Sequence, residues 1–360
     1  MNTTHYAYEP GEPVAPGQTL VDWLETSDMT QTDFAKRTGL TPKHINQVVK
    51  GGVGISPEVA IAFDRVTAIP ARYWNQLEAN YQTAKLRVAE EQDLARHVHL
   101  VERFPIKELE RANAIPRSTS KLETLRALLR FFAVANPDAL EEVWLRPALY
   151  RRSTAFNGDD AALAAWLRLA EREAATIVTQ PFDPAACRAA LADIRALSRL
   201  PGVQWHQPLC DLMASVGVAL VILKEFPGCR INGATRWLSP DKALIVLSLR
   251  HRRNDILWFT LFHELCHLLR HSKKESFVHI DGGDIATELE EEADTFAAKI
   301  LIAPHDATRL PLLTTESDVV AFADSIGVAP GIVVGRMQHD RQIPFNKFTR
   351  LIDRYRFDGE

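Results

Sequence analysis

The segment 257–269, LWFTLFHELCHLL, constrains this chain more than any other. It is apolar on every side of a helix, which places it in a core. Yet two histidines and a glutamate sit in its middle, and buried polar groups cost free energy unless they are hydrogen-bonded or ligated. His263 and His267 are four residues apart, one turn along the same helical face, so both imidazoles can reach one metal ion. Glu264, beside the first histidine, can act on a water held there. This H-E-x-x-H spacing supplies two zinc ligands and a general base from a helix expected over 256–270.

A catalytic zinc site takes three protein ligands and keeps one position open, so a third ligand is expected downstream. A helix expected over 287–302 carries three adjacent carboxylates, Glu290, Glu291 and Glu292, followed by Asp294. Leu289, Ala293, Phe296, Ala297 and Ile300 form its apolar stripe; Glu291 faces away from that stripe, whereas Glu290 and Asp294 share its flank. Glu290 is therefore the expected third ligand, with Glu292 as the alternative, and Asp294 the carboxylate that orients a ligating histidine. His271 continues the four-residue spacing but lies about 12 Å along the axis from His263, too far to share its ion. It is expected behind a ligand or at the helix end. His279, in an expected loop before the acidic helix, is a candidate for stabilising an oxyanion, against the plainer reading of a solvated histidine. Cys266 reads as a small buried hydrophobe; the competing reading is a thiol whose oxidation disturbs His267 and releases metal.

Upstream of this helix, 218–223 and 243–249 are β-rich apolar runs separated by Gly228, Gly233 and Pro240, which predicts a small sheet. The run 243–249 is a candidate for holding an extended peptide by edge pairing.

The first 80 residues have a different character. Residues 1–16 hold three prolines and read as an extended arm. Thr30, Thr41 followed by Pro42, and Ser56 followed by Pro57 are helix start signals, and Gly39 and Gly51-Gly52 are stops. Leu20, Leu24, Phe34, Ala35, Leu40, Ile45, Val48, Val49, Ile61, Ala62 and Val66 are the expected shared core of a five-helix, helix-turn-helix-sized bundle, its fifth helix running on from Tyr73-Trp74. Residues 1–80 carry six Lys+Arg against nine Asp+Glu, so any contact with DNA must be local. In the presumed recognition helix, Lys43, His44, Asn46, Gln47 and Lys50 supply donors and base-reading amides with no acid among them, and Gln31 is placed to reach a phosphate.

Between these regions, 85–101 reads as a charged connector helix, and further helices broken at Pro116, Pro137, Pro147, Asn157-Gly158 and Pro181 run to 200. The expected organisation is a helix-turn-helix domain with its arm over 1–84, a helical middle region over 85–200 and a metal-binding domain over 201–360. The fold class is α+β, mostly α. A net charge of -4 lacks the basic excess of a nucleic-acid coat or membrane-surface protein. The longest apolar run, 216–223, is far short of the roughly 18 to 20 residues of a membrane span. Cys187, Cys210, Cys229 and Cys266 form no C-x-x-C pair, so the expected compartment is a reducing cytoplasm.

With HELCHLLRH, a preceding strand and LEEEADTFAAKILIAP, the region 205–345 resembles the ImmA/IrrE family of zinc metallopeptidases, related to the gluzincins. Cys266 departs from the glycine usual there. The N-terminal sequence PGQTLVDWLETSDMTQTDFAKRTGLTPKHINQVVKGG resembles helix-turn-helix regulators of the XRE/HigA type. The double resemblance implies a DNA-binding transcriptional regulator whose Zn²⁺-dependent endopeptidase domain, with Glu264 as base, cleaves a partner repressor or antitoxin in a stress, toxin-antitoxin or phage-related response. Operator DNA and a protein substrate are the implied partners, a homodimer a further one. The rival reading is an antitoxin or repressor whose zinc domain only senses or scaffolds.

Overall fold

The computed structural model of the chain describes residues 15–146, 160–272, 277–280 and 288–355. Most of the expected N-terminal arm, the Pro147 and Asn157-Gly158 breaks and the Gly282-Gly283 loop lie outside them. The fold is α+β and mostly α, in two compact units, 1–98 and 99–360. No single described helix is long and apolar enough to cross a membrane.

Among its described residues the first unit has five α-helices: α1 (Pro16–Thr26), α2 (Gln31–Thr38), α3 (Pro42–Val49), α4 (Pro57–Thr67) and α5 (Ala71–Arg96). The Thr30, Thr41 and Ser56 side chains accept from the backbone N–H of Asp33, His44 and Val59, each satisfying a donor that a helix start leaves open. Gly39 ends α2 at φ 75, a left-handed conformation that disfavours any side chain. Leu20, Phe34, Ile45, Phe63 and Trp74 meet in the centre of the bundle. On α4 the buried face is Val59, Ala60, Phe63 and Thr67. This corrects the expected phase in part: Ile61 is exposed and Ala62 only half-buried, while Val66, half-buried, packs against the core as expected. Because α4 is apolar on both sides of its axis, its periodicity alone did not select a face. The charged stretch expected as a separate connector begins as the last three turns of α5, which runs unbroken to Arg96.

The second unit is built on a mixed four-stranded sheet in the order β1-β3-β2-β4, from β1 (Val218–Leu223), β2 (Ile231–Ser239), β3 (Lys242–Ser248) and β4 (Phe277–Ile280). β1 and β3 are parallel; β2 is antiparallel to both β3 and β4. Helices cover both faces. Thr235 of β2 meets α12 (Asn254–Arg270), whereas its neighbour Arg236 pairs at 2.5 Å with Glu171 of α9 (Asp160–Thr176) on the opposite face, because successive strand side chains alternate. That enclosure explains why β1 and β3 read as continuous apolar runs rather than alternating ones. The helix α9 is pinned at its C-terminal end by Lys242, whose Nζ donates to the Ala174 and Ile177 carbonyls at 2.7 and 2.5 Å.

Two expectations about this sheet are corrected. β3 lies between β1 and β2, so both of its edges are paired and it cannot receive a peptide by strand addition; the outer strands are β1 and β4. His279 lies in β4, paired with Gly233, and not in a loop.

Candidate metal centre

The helix α12 is buried along its length, from Leu257 and Trp258 to Leu268 and Leu269. Arg253, just before it, holds Asp255 of its first turn in a two-pronged ion pair at 2.9 and 2.7 Å and donates to Gln338 at 2.8 Å. Against it packs α13 (Glu288–Leu301), whose buried residues Ala293, Ala297 and Leu301 recur every four positions. The two alanines bring the helix backbones close, and the carboxylates flanking that small-residue stripe then overhang the H-E-x-x-H face. From α10 (Pro184–Ala196), Arg195 donates to the Leu301 carbonyl at 3.1 Å, fixing the far end of α13.

His263, Glu264 and His267 are 0%, 0% and 2% exposed. The ring atoms His263 Nε2 and His267 Nε2 stand 3.0 Å apart, and Glu290 brings one carboxylate oxygen to 3.1 Å from the first and the other to 3.5 Å from the second. Three ligand atoms, one from each residue, thus lie within 4.8 Å of one another. Two buried imidazoles and one partly exposed carboxylate are the donor set of a catalytic zinc site. The expected Glu290 is the carboxylate at this point. Glu292 instead accepts from Arg270 at 2.6 Å and lies 3.3 Å from His271 Nε2; Glu291 is exposed.

Each histidine is also held from behind. Asp294 Oδ1 is 2.8 Å from His263 Nδ1, and His271 Nδ1 is 2.8 Å from His267 Nδ1. The pKa of His263 is raised to about 10: burial, the largest influence, acts to lower it, but the hydrogen bonds to Asp294 and Glu290 and the charges of Glu264 and Glu290 outweigh that. Such a pocket favours a positive charge, whether proton or metal ion. Cys266 is 0% exposed and its thiol is pushed up to about 12 by burial, which supports the packing reading of this residue.

Glu264 points to the sheet side of α12. Thr235 Oγ1 donates to Glu264 Oε2 at 2.6 Å, and a Cβ added to Gly233 would stand 2.9 Å from Glu264 Oε1. These two residues of β2 build the wall behind Glu264. Sequence reading missed both, since INGATRWLS has none of the apolar density of its neighbours; the available signal was a glycine inside a strand, which marks a close approach of another group.

In the first unit, Lys43, Asn46 and Gln47 on α3, with Lys50 at its C-cap, are all exposed. At i, i+3, i+4 and i+7 they share one face. His44 departs from that face, being half-buried with its Nε2 enclosed and without a hydrogen-bond partner. Gln31 is half-buried at the start of α2.

Comparison with known families agrees with both units. Residues 22–74 match the helix-turn-helix model HTH_3, and residues 232–337 match the peptidase M78 model, described as an IrrE N-terminal-like domain. The chain joins a helix-turn-helix domain to an IrrE N-terminal-like domain. Similar solved structures include the Pseudomonas aeruginosa antitoxin HigA with the higBA promoter, at 25% identity over 23% of this chain and 90% of that one, with a TM-score of 0.22. Another is an addiction module antidote protein of a HigA family from Coxiella burnetii, at 17% identity over 24% of this chain and 94% of that one, with a TM-score of 0.23. No curated protein matches the chain significantly. The IrrE-like match begins at Asn232 inside β2 and ends at Met337 in the helix Pro330–His339, so it contains the whole His263, His267, Glu290 cluster, Glu264 and its β2 wall.

Proposed function

We propose that this protein is a DNA-binding regulator whose IrrE-like domain is a zinc endopeptidase acting on a partner repressor or antitoxin. The observation that carries the enzymatic half is the convergence of three ligand atoms within 4.8 Å, with a buried glutamate one residue from the first ligand. In this reading His263, His267 and Glu290 hold Zn²⁺. The ion supplies Lewis acidity toward water and the scissile carbonyl. Glu264 takes the proton of the attacking water and returns it to the leaving amine, while Thr235 keeps one of its oxygens fixed. Asp294 holds His263 with Nε2 turned to the ligand cluster. The strand pairing proposed for the substrate moves from β3 to the outer edge of β4, the last strand of the sheet among the described residues, where an extended segment of a partner protein can add as a fifth strand. His279 of β4 remains the proposed oxyanion stabiliser; its side chain is outside the described residues.

DNA contact is assigned to Lys43, Asn46, Gln47 and Lys50, with Gln31 on a phosphate and His44 at most at the rim. The functional division stays at 1–84 for operator binding, 85–200 for the helical middle and 201–360 for the peptidase, in a cytoplasmic protein that binds operator DNA as a homodimer.

The test is metal content and partner stability in the wild type and in Glu264→Gln. Both proteins should hold about one zinc per chain; only the wild type should deplete the partner, and Glu264→Gln should retain it in a pull-down. Depletion of the partner by Glu264→Gln would overturn the peptidase reading in favour of a domain that senses or scaffolds.

A further inference from the structure

Three carboxylates of α13 face α12 and only two have a role so far: Glu290 in the ligand cluster and Asp294 behind His263. The third, Glu292, belongs to a chain of contacts that starts at the other histidine. His267 Nδ1 and His271 Nδ1 are 2.8 Å apart, His271 Nε2 and Glu292 Oε2 are 3.3 Å apart, and Glu292 Oε1 accepts from Arg270 at 2.6 Å. His271 is itself enclosed, its side chain 3% exposed.

The proton inventory of this chain has one consistent direction. Two ring nitrogens at hydrogen-bond distance share a single proton, so one donates and the other accepts. If His267 Nε2 is a metal ligand it carries no proton, and the neutral ring must keep its proton on Nδ1. His271 Nδ1 is then the acceptor. A neutral His271 keeps its own proton on Nε2, which faces a carboxylate oxygen able to accept it. Every link points away from the ligand cluster and ends on a carboxylate held by a guanidinium.

We propose that His271 is the positioning residue for His267, a relay by which Glu292 fixes the ring and tautomer of the second zinc ligand as Asp294 fixes the first. The two orienting carboxylates then come from one helix, two residues apart and two and four residues beyond Glu290, so docking α13 on α12 sets all three ligands together. This rests on the zinc reading of the site.

The experiment uses the full-length protein and zinc ions alone, with affinity measured by competition against a chromogenic chelator. Loss of a partner behind a metal-bound histidine costs about 10- to 100-fold in affinity. His271→Leu should weaken zinc by that factor. His271→Asn, whose side-chain oxygen can occupy the place of Nδ1, should recover most of it, whereas His271→Gln, which carries its amide at the Nε2 position, should not. Nitrogen-15 spectra of the zinc-loaded wild type should report His267 protonated on Nδ1 and His271 on Nε2. A wild type that binds no zinc overturns the metal reading itself. A wild type that binds zinc, with His271→Leu and His271→Gln equal to it or His271→Asn no better than His271→Gln, overturns the relay alone. Should His271→Leu fail to fold, the Asn and Gln pair and the spectra still decide.

Discussion

The contact between Thr235 and Glu264 sets a quantity that can be measured apart from any activity. A hydroxyl donates at 2.6 Å to a carboxylate, with the two residues 2% and 0% exposed. Thr235→Val keeps the shape of the side chain and removes the donor. A hydrogen bond to a charged group is worth about 1.5–3 kcal/mol, and its loss in a buried site is not compensated by water. The loss therefore falls on the packing of α12 against β2. Amide hydrogen exchange along α12 reads that loss locally, and 1.5–3 kcal/mol corresponds to about 10- to 150-fold faster exchange of the amides that open with this contact. Thr235→Ser, which keeps the donor, should stay near wild type, and zinc content should be unchanged in both because Thr235 is no ligand. Exchange in Thr235→Val within twofold of wild type would refute the reasoning.

Other outcomes follow from the same geometry. His263 has a folded-state pKa of about 10 in the metal-free protein, above the ordinary 6.5, so its protonation stabilises that state fully below about pH 6.5 and the contribution is lost as pH rises through about 10. Zinc loading near pH 8 must therefore release a proton, and calorimetry in buffers of different ionisation heat should detect it; heats independent of the buffer would contradict the assignment. With its thiol pushed up to about 12, Cys266 should resist alkylation in the native protein, and peroxide should release zinc equally from wild type and Cys266→Gly; retention of zinc only by Cys266→Gly would restore the redox reading. Asn46→Ala with Gln47→Ala should narrow the difference between specific and random DNA by about 1–3 kcal/mol per lost base contact, and Lys43→Ala should weaken both alike. Gel shifts equal to wild type for all three changes would remove DNA binding from α3.

What could be read from the chain was whatever is fixed locally. The caps at Thr30, Thr41 and Ser56 act within four residues, and the helices begin where those side chains require. Glu290 was separable from Glu291 and Glu292 because helical phase is a local property and Ala293 and Ala297 mark the docked side. The burial of α4 was misread because both of its faces are apolar, and only the packing of Phe63 between Phe34 and Trp74 chooses between them. β2 escaped notice because its composition answers to α12 rather than to the sheet: Gly233 and Thr235 are there to admit and bind a glutamate 29 to 31 residues away in sequence.

That last dependence follows from the motif itself. Successive residues of a helix are about 100° apart, so a glutamate next to a ligating histidine cannot share its direction. His263 and His267 face α13 and its carboxylates, and Glu264 consequently faces β2. An H-E-x-x-H helix therefore needs a layer on each side: one that brings a carboxylate to the two histidines, and one that holds the glutamate. In this chain the first layer is a helix with two alanines at the contact, and the second is a strand with a glycine where the carboxylate lies and a hydroxyl two residues on. Both layers are specified by small or polar residues, and apolar periodicity detects neither contact. The apolar content of α12 announces that it is buried, while the exceptions to apolarity in its neighbours decide what is done there.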